Sequence, residues 1–224
     1  MTVNIDPRTW DEACALDEVR NEFVVPTIVT IAQGGGPKRA IDIGCGTGYI
    51  ARSVITRLAS DFTQWVLLDR NPEMIGFAKS IVPERPDLKY INLDLEAVAI
   101  TDFPGPFDLI ILSYSILEMD RLDSLASRIG ELAAPSAELL IFLPDTMEDV
   151  ITAQPKNKGI IQKYAEGIAQ IEKRNPFTGT YLTFYAHRDL YLVNSFLDAG
   201  FRLAQVTRFV TRSNRVHFCL RFGN

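Results

Sequence analysis

Short apolar runs alternate with amphipathic segments through the central part of the chain. The apolar runs predict β-strands, and residues 107–113 are apolar on both faces, as is typical of the middle of a parallel sheet. Segments with helical spacing of apolar residues separate these strands. Such alternation implies right-handed crossovers and an open, doubly wound α/β sheet. The predicted strands are 39–43, 64–68, 89–93, 107–113 and 138–143, and the predicted helices between them are 49–59, 72–80 and 122–133.

The two ends of the chain depart from this alternation. Residues 9–32 show helical spacing, and we expect Thr9 to cap the first helix, with a glutamate three residues later completing a capping box. We expect Pro26 to divide this region into two helices, and the Gly-Gly-Gly-Pro stretch at 34–37 to end it. The final apolar runs are separated by only a few polar residues, which predicts an antiparallel hairpin over 203–211 and 215–222.

An insertion interrupts the alternation before the closing hairpin. It contains apolar residues at helical spacing, which predict one amphipathic helix with Ile160, Ile161, Tyr164, Ile168 and Ile171 on one side. We interpret this side as a packing face, with the surface of a homodimer as the alternative. A turn is expected at 175–179 and a further helix at 188–199, with Gly200 at its C-terminal end.

Composition and charge disfavour a nucleic-acid partner, a metal site and a membrane partner. The formal net charge of −5 and the pI of about 5.1 disfavour a nucleic-acid partner, since such proteins usually present a basic face. The cysteines are few, far apart and never in a C-x-x-C pair, so we expect free thiols and no metal site. No basic start precedes an apolar stretch and no apolar run could cross a bilayer, so we expect a cytoplasmic protein without a membrane partner.

Three glycines at alternate positions follow the first strand and open the next helix, in the segment IDIGCGTGY at 41–49. Glycines there let the backbone turn tightly and let a ligand lie against the main chain. A dinucleotide-binding fingerprint needs its third glycine one position later, where this chain has Tyr49. No Lys-Ser or Lys-Thr pair follows, which excludes a nucleoside-triphosphate loop.

Two acidic residues follow the next two predicted strands. Asp69 ends the second strand, where its carboxylate could accept hydrogen bonds from both hydroxyls of a ribose, each worth about 1.5–3 kcal/mol. Its alternative role is to cap the helix that begins near Pro72. Asp94 follows the third strand, where it could accept a hydrogen bond from the exocyclic amine of adenine; an ordinary loop acid is the alternative. Together with the glycine loop, these positions predict an adenosyl-type ligand.

The segments AIDIGCGTGYIA, LLDRN, NLDLE and FDLIILSYSILEM, in that order, resemble the class I S-adenosylmethionine-dependent methyltransferase superfamily over about residues 38–145. The resemblance implies a seven-stranded, mostly parallel Rossmann-like sheet closed by an antiparallel hairpin. It implies S-adenosylmethionine as cofactor and S-adenosylhomocysteine as product. We therefore assign residues 1–36 to N-terminal cap helices and 37–224 to one methyltransferase domain with a lid insertion at about 145–186.

The resemblance also implies which residues contact the cofactor. The methionine and ribose portions would lie against Asp42, Gly44, Cys45, Gly46, Gly48 and Ser113. The ribose diol and the adenine would be bound by Asp69, Arg70, Met74, Asp94 and Leu95. Cap helices often cover the cofactor in this family, so the candidates there are Trp10 and Arg20, the latter as a partner of the cofactor carboxylate.

The acceptor side is less defined, because Leu117-Glu118-Met119 stands where many small-molecule members of the family carry Leu-Glu-His. The candidates for catalysis or substrate contact are His187, Tyr114 and Glu118. His187 has a helix cap as its alternative role. His217 alternates with apolar neighbours in the last strand, and we expect it on a solvated face.

The preferred interpretation is a methyltransferase that acts on a small-molecule substrate by in-line transfer, mainly through proximity and orientation. One alternative is a cofactor-binding regulatory or partner protein without turnover, which the missing histidine keeps open. The other is a nicotinamide-dependent oxidoreductase, against which Tyr49 and the closing hairpin both count.

Overall fold

The computed structural model describes residues 5–33, 39–58, 62–95, 103–153, 157–174 and 181–224. The helices in these ranges are α1 Pro7–Leu16, α2 Val25–Gln33, α3 Tyr49–Ile55, α4 Pro72–Ile81, α5 Leu122–Leu132, α6 Thr146–Thr152, α7 Lys158–Glu166 and α8 Asp189–Asp198. The strands are β1 Arg39–Ile43, β2 Gln64–Asp69, β3 Leu88–Asn92, β4 Phe107–Ser113, β5 Ala133–Pro144, β6 Ile168–Arg174, β7 Tyr181–His187, β8 Arg202–Val210 and β9 Val216–Gly223.

The main sheet has seven strands in the order β3-β2-β1-β4-β5-β9-β8. The first five of these are parallel, and β9 runs antiparallel to both β5 and β8. This confirms the predicted doubly wound, mostly parallel sheet with an antiparallel C-terminal hairpin. The strand order reverses between β1 and β4, which is where open α/β sheets bind ligands beyond the carboxyl ends of their strands.

Helices cover both faces of this sheet and explain the continuous apolar runs. On one face, α2 and α3 pack with the N-terminal segment around Trp65, Leu109 and Phe142. On the other, α5 and α8 pack around Ile110 and Phe222. Because both faces are buried, a central strand has no side exposed to solvent. Its sequence therefore shows no alternation of polar and apolar residues.

The N-terminal helices begin and break at places other than those predicted. Thr9 is not the cap, because Asp6 caps α1 by accepting a hydrogen bond from the Thr9 main-chain N–H at 2.8 Å. The carboxylate lies directly before Pro7, a residue favoured in a first helical turn. Pro26 does not divide the helices, since the π-helical turn Arg20–Val24 continues directly into α2. The predicted stop at 34–37 lies outside the described residues.

The insertion contains a β-hairpin that the sequence pattern did not predict. Gly167, with φ of +136°, ends α7, and Ile168 begins β6, which pairs antiparallel with β7. The prediction of one helical stripe was therefore wrong: Ile171 is buried on the hairpin, whereas Ile161 is exposed on α7. Apolar residues three positions apart fit a helix face but do not exclude a change to a strand at a glycine. The turn predicted at 175–179 lies outside the described residues.

His217 is buried, so the prediction of a solvated face was wrong. It lies opposite Pro144 in the pairing of β5 and β9, and Asp17 and Arg20 from the N-terminal segment lie close enough to influence its charge. The alternation of apolar and polar residues in β9 predicts that one face of the strand is exposed to water. The N-terminal segment, far away in sequence, covers the end of β9 that carries His217. Across the described ranges, no helix combines the length and the apolar character needed to span a membrane.

The N-terminal segment is attached to the C-terminal hairpin by aromatic packing. Phe23 stacks on Phe209 with ring centroids 5.1 Å apart and planes 7° apart, and it meets Phe142 edge-on at 5.7 Å. Arg212 adds ion pairs to Glu18 and Glu22 at the surface. We expect the aromatic contact to contribute more than these ion pairs, because exposed ion pairs contribute only about 0–1 kcal/mol.

Phe23→Ala should lower the free energy of unfolding by about 3–5 kcal/mol, the range found for buried aromatic residues truncated to alanine. Urea unfolding followed by circular dichroism measures this change. Val206→Ala on the neighbouring strand is the matched control, because Val206 is 53% exposed and should change stability by less than about 0.5 kcal/mol. A loss below about 1 kcal/mol in Phe23→Ala would contradict the attachment of the N-terminal segment through this ring.

Candidate functional site

The loop from β1 to α3 turns through three left-handed glycines. Gly44, Gly46 and Gly48 have φ of +76°, +55° and +73°, a region that residues with a side chain rarely adopt. The loop is also crowded, because a Cβ atom at Gly44 would lie 2.4 Å from the Cβ of Ser115. Glycine at these positions thus lets the main chain turn and lie close to the segment that follows β4.

Asp69 is bound to this loop at the carboxyl end of β2. Its Oδ2 accepts a hydrogen bond from the Gly46 N–H at 2.8 Å, and its Oδ1 accepts one from the Asn71 N–H at 2.8 Å. Helix α4 is capped by the Asn71 side chain and not by Asp69. Each carboxylate oxygen can accept more than one hydrogen bond, so Asp69 is oriented by the loop and retains capacity for a ligand.

Asp42 is a buried acid next to the loop. Its side chain is 1% exposed, and neither carboxylate oxygen has a hydrogen-bond partner among the described residues. Burial, reinforced by the charge of Asp69, raises the pKa of Asp42 to about 7. A buried carboxylate without a partner is costly, so this position suits a cationic or hydrogen-donating group supplied by a ligand.

The N-terminal helix lies over the glycine loop. The Trp10 Nε1 is 3.2 Å from the position that a Cβ atom of Gly46 would occupy. The Asp11 carboxylate accepts hydrogen bonds from Thr47 Oγ1 at 2.9 Å and Arg52 Nη2 at 2.9 Å. These contacts fasten the helix to the loop and to the first turns of α3, and they bring Trp10 to the site.

Arg20 reaches the same region from the π-helical turn. Its guanidinium carbon lies 5.2 Å from the ring centroid of Trp10 and 5.5 Å from that of Tyr114, and Asp17 pairs with its charge. Guanidinium groups stack favourably on aromatic faces. Both sequence-predicted candidates in the cap, Trp10 and Arg20, are therefore brought together above the carboxyl edge of the sheet.

The residues that follow β2 and β3 lie side by side. The Leu93 N–H donates to the main-chain oxygen of Asp69 at 3.0 Å, which places the Asp94 segment beside Asp69. Leu95 and Met74 are buried and Asp94 is exposed. The sequence-predicted adenine contacts are therefore brought to one edge of the sheet.

Arg70 and Glu118 form an exposed ion pair, with Arg70 Nη2 2.6 Å from Glu118 Oε2. The pair joins the end of β2 to the segment after β4. Glu118 is 64% exposed in its side chain, so it lies in water rather than in a closed pocket. The contact shows that two sequence candidates meet, although one was assigned to adenine and the other to the acceptor.

His187 lies at the end of β7 and is 1% exposed. Its Nε2 is 2.8 Å from the Met119 main-chain oxygen, and its ring stacks near Tyr191. Burial lowers the pKa of His187. It does not cap α8, whose N-cap position is Arg188. These contacts attach the β6–β7 hairpin to the segment after β4.

Tyr114 and His217 form a pair that sequence reasoning missed. Tyr114 Oη lies 2.9 Å from His217 Nδ1. Burial raises the pKa of the Tyr114 hydroxyl and lowers the pKa of His217. Tyr114 alone was a candidate. No local signal could identify His217 as its partner. The two residues come together only when β9 pairs antiparallel with β5, the strand next to β4.

Cys45 lies in the glycine loop, and burial raises the pKa of its thiol well above the ordinary value. Such a thiol stays protonated and is a poor nucleophile. Within the described ranges, no cluster of three or more histidine, cysteine, aspartate or glutamate side chains could hold a metal ion.

Comparison with known proteins assigns this geometry to a family. Residues 36–183 match the family described as "Methyltransferase domain", which is more than half of the chain. The chain belongs to the class I S-adenosylmethionine-dependent methyltransferases. The cofactor of this family is S-adenosylmethionine, in agreement with the ligand predicted from the glycine loop and the two acids.

Two curated proteins are similar to this methyltransferase in sequence. The malonyl-[acyl-carrier protein] O-methyltransferase of Halalkalibacterium halodurans is 23% identical in an alignment of 164 residues, which covers 68% of this chain and 59% of the relative. The biotin biosynthesis bifunctional protein BioCD of Bordetella avium is 30% identical over 122 residues, which are 54% of this chain and 24% of the relative. The matched regions therefore span less than two thirds of either relative.

Solved structures share the fold over nearly the whole length. An S-adenosylmethionine-dependent methyltransferase from Mesorhizobium loti superposes with a TM-score of 0.66 at 13% identity, covering 93% of this chain and 100% of that one. The N-methyltransferase NodS from Bradyrhizobium japonicum WM9, in complex with S-adenosylhomocysteine, superposes with a TM-score of 0.60 at 12% identity, covering 98% and 99%. At such identities the likeness shows the fold alone.

Asp42→Asn should stabilise the cofactor-free methyltransferase at alkaline pH. The pKa of Asp42 is raised from 3.8 to about 7 on folding, so the stability that the protonated acid provides is present at low pH and is lost as the pH rises through 7. At pH 8 the cost of the buried charge is roughly 4 kcal/mol, whereas a buried unpaired amide costs about 1–3 kcal/mol.

Urea unfolding at pH 8 and pH 4.5 measures this difference. The Asp42→Asn protein should unfold at higher urea than the wild type at pH 8 and should lose that advantage at pH 4.5. Asp123→Asn, at an exposed position in α5, is the matched control and should leave both midpoints unchanged. Equal midpoints for Asp42→Asn and wild type at pH 8 would show that no ionised carboxylate is buried there.

Proposed function

We propose that this methyltransferase transfers a methyl group from S-adenosylmethionine to a small-molecule acceptor in the cytoplasm, without a nucleic-acid or membrane partner. The observation that carries the proposal is the unpartnered, buried carboxylate of Asp42 beside a loop of three left-handed glycines. When bound, the cofactor would supply an activated methyl group on a sulfonium, and its amino group would be the cation that this carboxylate lacks.

The glycine loop and its neighbours fit the cofactor. Asp42 would pair with the amino group, which removes the cost of a buried unpaired charge. The main chain at Gly44, Gly46 and Gly48 would allow close approach, since a side chain at Gly44 would meet Ser115. Cys45 and Ser113 would border the methionine portion, and the Ser113 hydroxyl has no hydrogen-bond partner among the described residues.

The adenosine portion would extend towards β2 and β3. Asp69 would accept hydrogen bonds from the ribose hydroxyls with the lone pairs that the loop leaves available. Met74 and Leu95 would provide apolar contact to the adenine, Asp94 would accept from its amine, and Arg70 would flank it. The proximity of the Asp69 and Asp94 segments supports this arrangement.

We assign residues 1–36 to a cap over the cofactor and residues 145–186 to a lid inserted in the domain 37–224. Trp10 and Arg20 support the role of the cap, because they already lie over the glycine loop and Tyr114. Arg20 would balance the cofactor carboxylate. The contact of His187 with Met119 supports the role of the lid, since it brings the hairpin against the acceptor side.

The residues of the site act mainly by holding the two reactants in line. Correct alignment alone can supply roughly 7–11 kcal/mol of the barrier reduction in such a transfer. The cap and the lid would also exclude water, which favours a transfer in which positive charge becomes less localised. None of these contributions requires a metal ion.

The choice of a small molecule has two supports. The net charge of −5 gives no general attraction to nucleic-acid phosphates. Among the relatives, the malonyl-[acyl-carrier protein] O-methyltransferase acts, by its name, on a malonyl group, and a magnesium protoporphyrin IX methyltransferase shares the fold. The alternative is a cofactor-binding regulatory protein without turnover. Turnover of an acceptor distinguishes the methyltransferase from this alternative.

Asp69→Ala should weaken the binding of S-adenosylmethionine at least about tenfold, because a charged hydrogen bond contributes about 1.5–3 kcal/mol. Isothermal titration calorimetry measures the dissociation constant. Asp198→Ala removes the same charge from an exposed position on α8 and should leave it unchanged. An unaltered constant in Asp69→Ala would remove this residue from the cofactor site.

Methyl transfer itself is tested by release of S-adenosylhomocysteine from wild-type protein with a panel of metabolites. We expect turnover with at least one small molecule and no dependence on added metal. Tight cofactor binding without turnover on any compound would contradict the proposed activity and favour the regulatory alternative.

A further inference from the structure

Tyr114 and His217 form a polar pair outside the set of residues that we assign to the cofactor. They are 103 residues apart in the sequence, yet Tyr114 Oη lies 2.9 Å from His217 Nδ1, and the rings are 5.8 Å apart in an edge-on arrangement. His217 is buried and Tyr114 is half-buried. A hydroxyl and an imidazole held in this way can pass a proton between them.

The pair lies on the side of the glycine loop opposite to the adenosine contacts. Tyr114 directly follows β4, in the segment whose Ser115 packs on Gly44. His217 lies opposite Pro144, at the carboxyl end of β5. Asp69 lies at the end of β2, and the order β2-β1-β4-β5 therefore places the loop between the ribose acid and the Tyr114–His217 pair.

Tyr114 is held in a conformation that tyrosine rarely adopts. Its φ is +63°, in the left-handed region, which is unfavourable for a residue with a side chain. Its surroundings hold it there: the Tyr114 N–H donates to the Phe142 main-chain oxygen at 3.0 Å, and Arg20 covers the ring. Strain of this kind concentrates where a side chain must be aimed at a ligand.

The charges around His217 suit a base that is neutral before the reaction and charged after it. Burial, with Arg215 in the β8–β9 turn and Arg20 in the cap, lowers its pKa and leaves the imidazole neutral at pH 7. Asp17 in the cap and Asp149 in α6 act in the opposite direction and favour the imidazolium. Tyr114 is the group in direct contact.

We propose that Tyr114 and His217 relay the proton of the acceptor, and that the acceptor is therefore a hydroxyl or amine that still carries its proton at neutral pH. The inference rests on the proposed function. A carboxylate acceptor has no such proton, so it would not need the pair.

The relay balances in atoms and charge. The lone pair of the acceptor oxygen or nitrogen forms the new bond to the methyl carbon, and the electrons of the carbon–sulfur bond remain on sulfur. The acceptor proton passes to Tyr114 Oη while the phenolic proton passes to His217 Nδ1. The positive charge that leaves the sulfonium thus ends on the imidazolium. Tyr114 is the catalytic residue in contact with the acceptor, and His217 takes up the proton behind it.

The test uses the full chain and a panel of alcohols, phenols, primary amines and carboxylates, including malonate, with S-adenosylhomocysteine release as the signal. Tyr114→Phe retains the ring but has no proton to relay. His217→Asn can still hydrogen-bond the tyrosine but does not titrate near neutrality. Tyr164→Phe removes another tyrosine hydroxyl, which meets Thr146 at 3.1 Å in the lid, and is the matched control.

We expect the wild type to methylate alcohols, phenols or amines, and both variants of the pair to lower kcat about 100-fold, within the range of general-base contributions. Cofactor affinity should stay within about threefold, which shows that the variants are folded. The wild-type rate should fall as the pH is lowered through the depressed pKa of His217, and this acidic limb should be absent in His217→Asn. Tyr164→Phe should keep both kcat and the limb.

Three results would overturn the relay while the proposed function stands. The first is turnover on carboxylates alone, and the second is kcat within threefold of wild type in both Tyr114→Phe and His217→Asn. The third is retention of the acidic limb in His217→Asn with the same acceptor. A wild type that binds the cofactor but turns over no compound would contradict the proposed function and the relay together.

Discussion

The main chain that follows β1 must adopt three left-handed conformations next to an acid that is buried away from water. Glycine alone makes the turns without strain, and the buried Asp42 beside them has no partner within the described chain. The two features reinforce each other, because an open main chain admits a ligand and an unpaired carboxylate requires one. Asp69, Trp10 and the segment after β4 are all arranged around this loop.

From this loop the site extends in two directions along the carboxyl edge of the sheet. Towards β2 and β3 the residues are acidic and apolar and come from loops adjacent in sequence. Towards β4, β5 and β9 the residues are Tyr114 and His217, and the cap residue Arg20 covers them. We propose that the first half recognises the adenosyl group and that the second half transfers the proton of the acceptor.

The placement of the glycine loop and of the acids beside it could be predicted from the sequence because the signals are local. The glycine loop and the acids that follow β2 and β3 are each recognised from a few consecutive residues. Buried parallel strands appear as apolar runs of the expected length. The parts that failed depend on distant contacts or on one residue. Gly167 changes a helix into a strand before Ile168, Asp6 replaces Thr9 as a cap, and the N-terminal segment buries His217. No periodicity reports such contacts, because they form only in the folded chain.

The stacking of Phe23 on Phe209 has a consequence for the order of events during synthesis. The supporting ion pair between Glu22 and Arg212 spans 190 residues, so the cap emerges from the ribosome long before the strand on which it rests. Contacts of such separation form late and slowly. The parallel strands can therefore assemble before Phe23 meets Phe209, and the attachment of the N-terminal segment to the hairpin is completed only when β8 has been made.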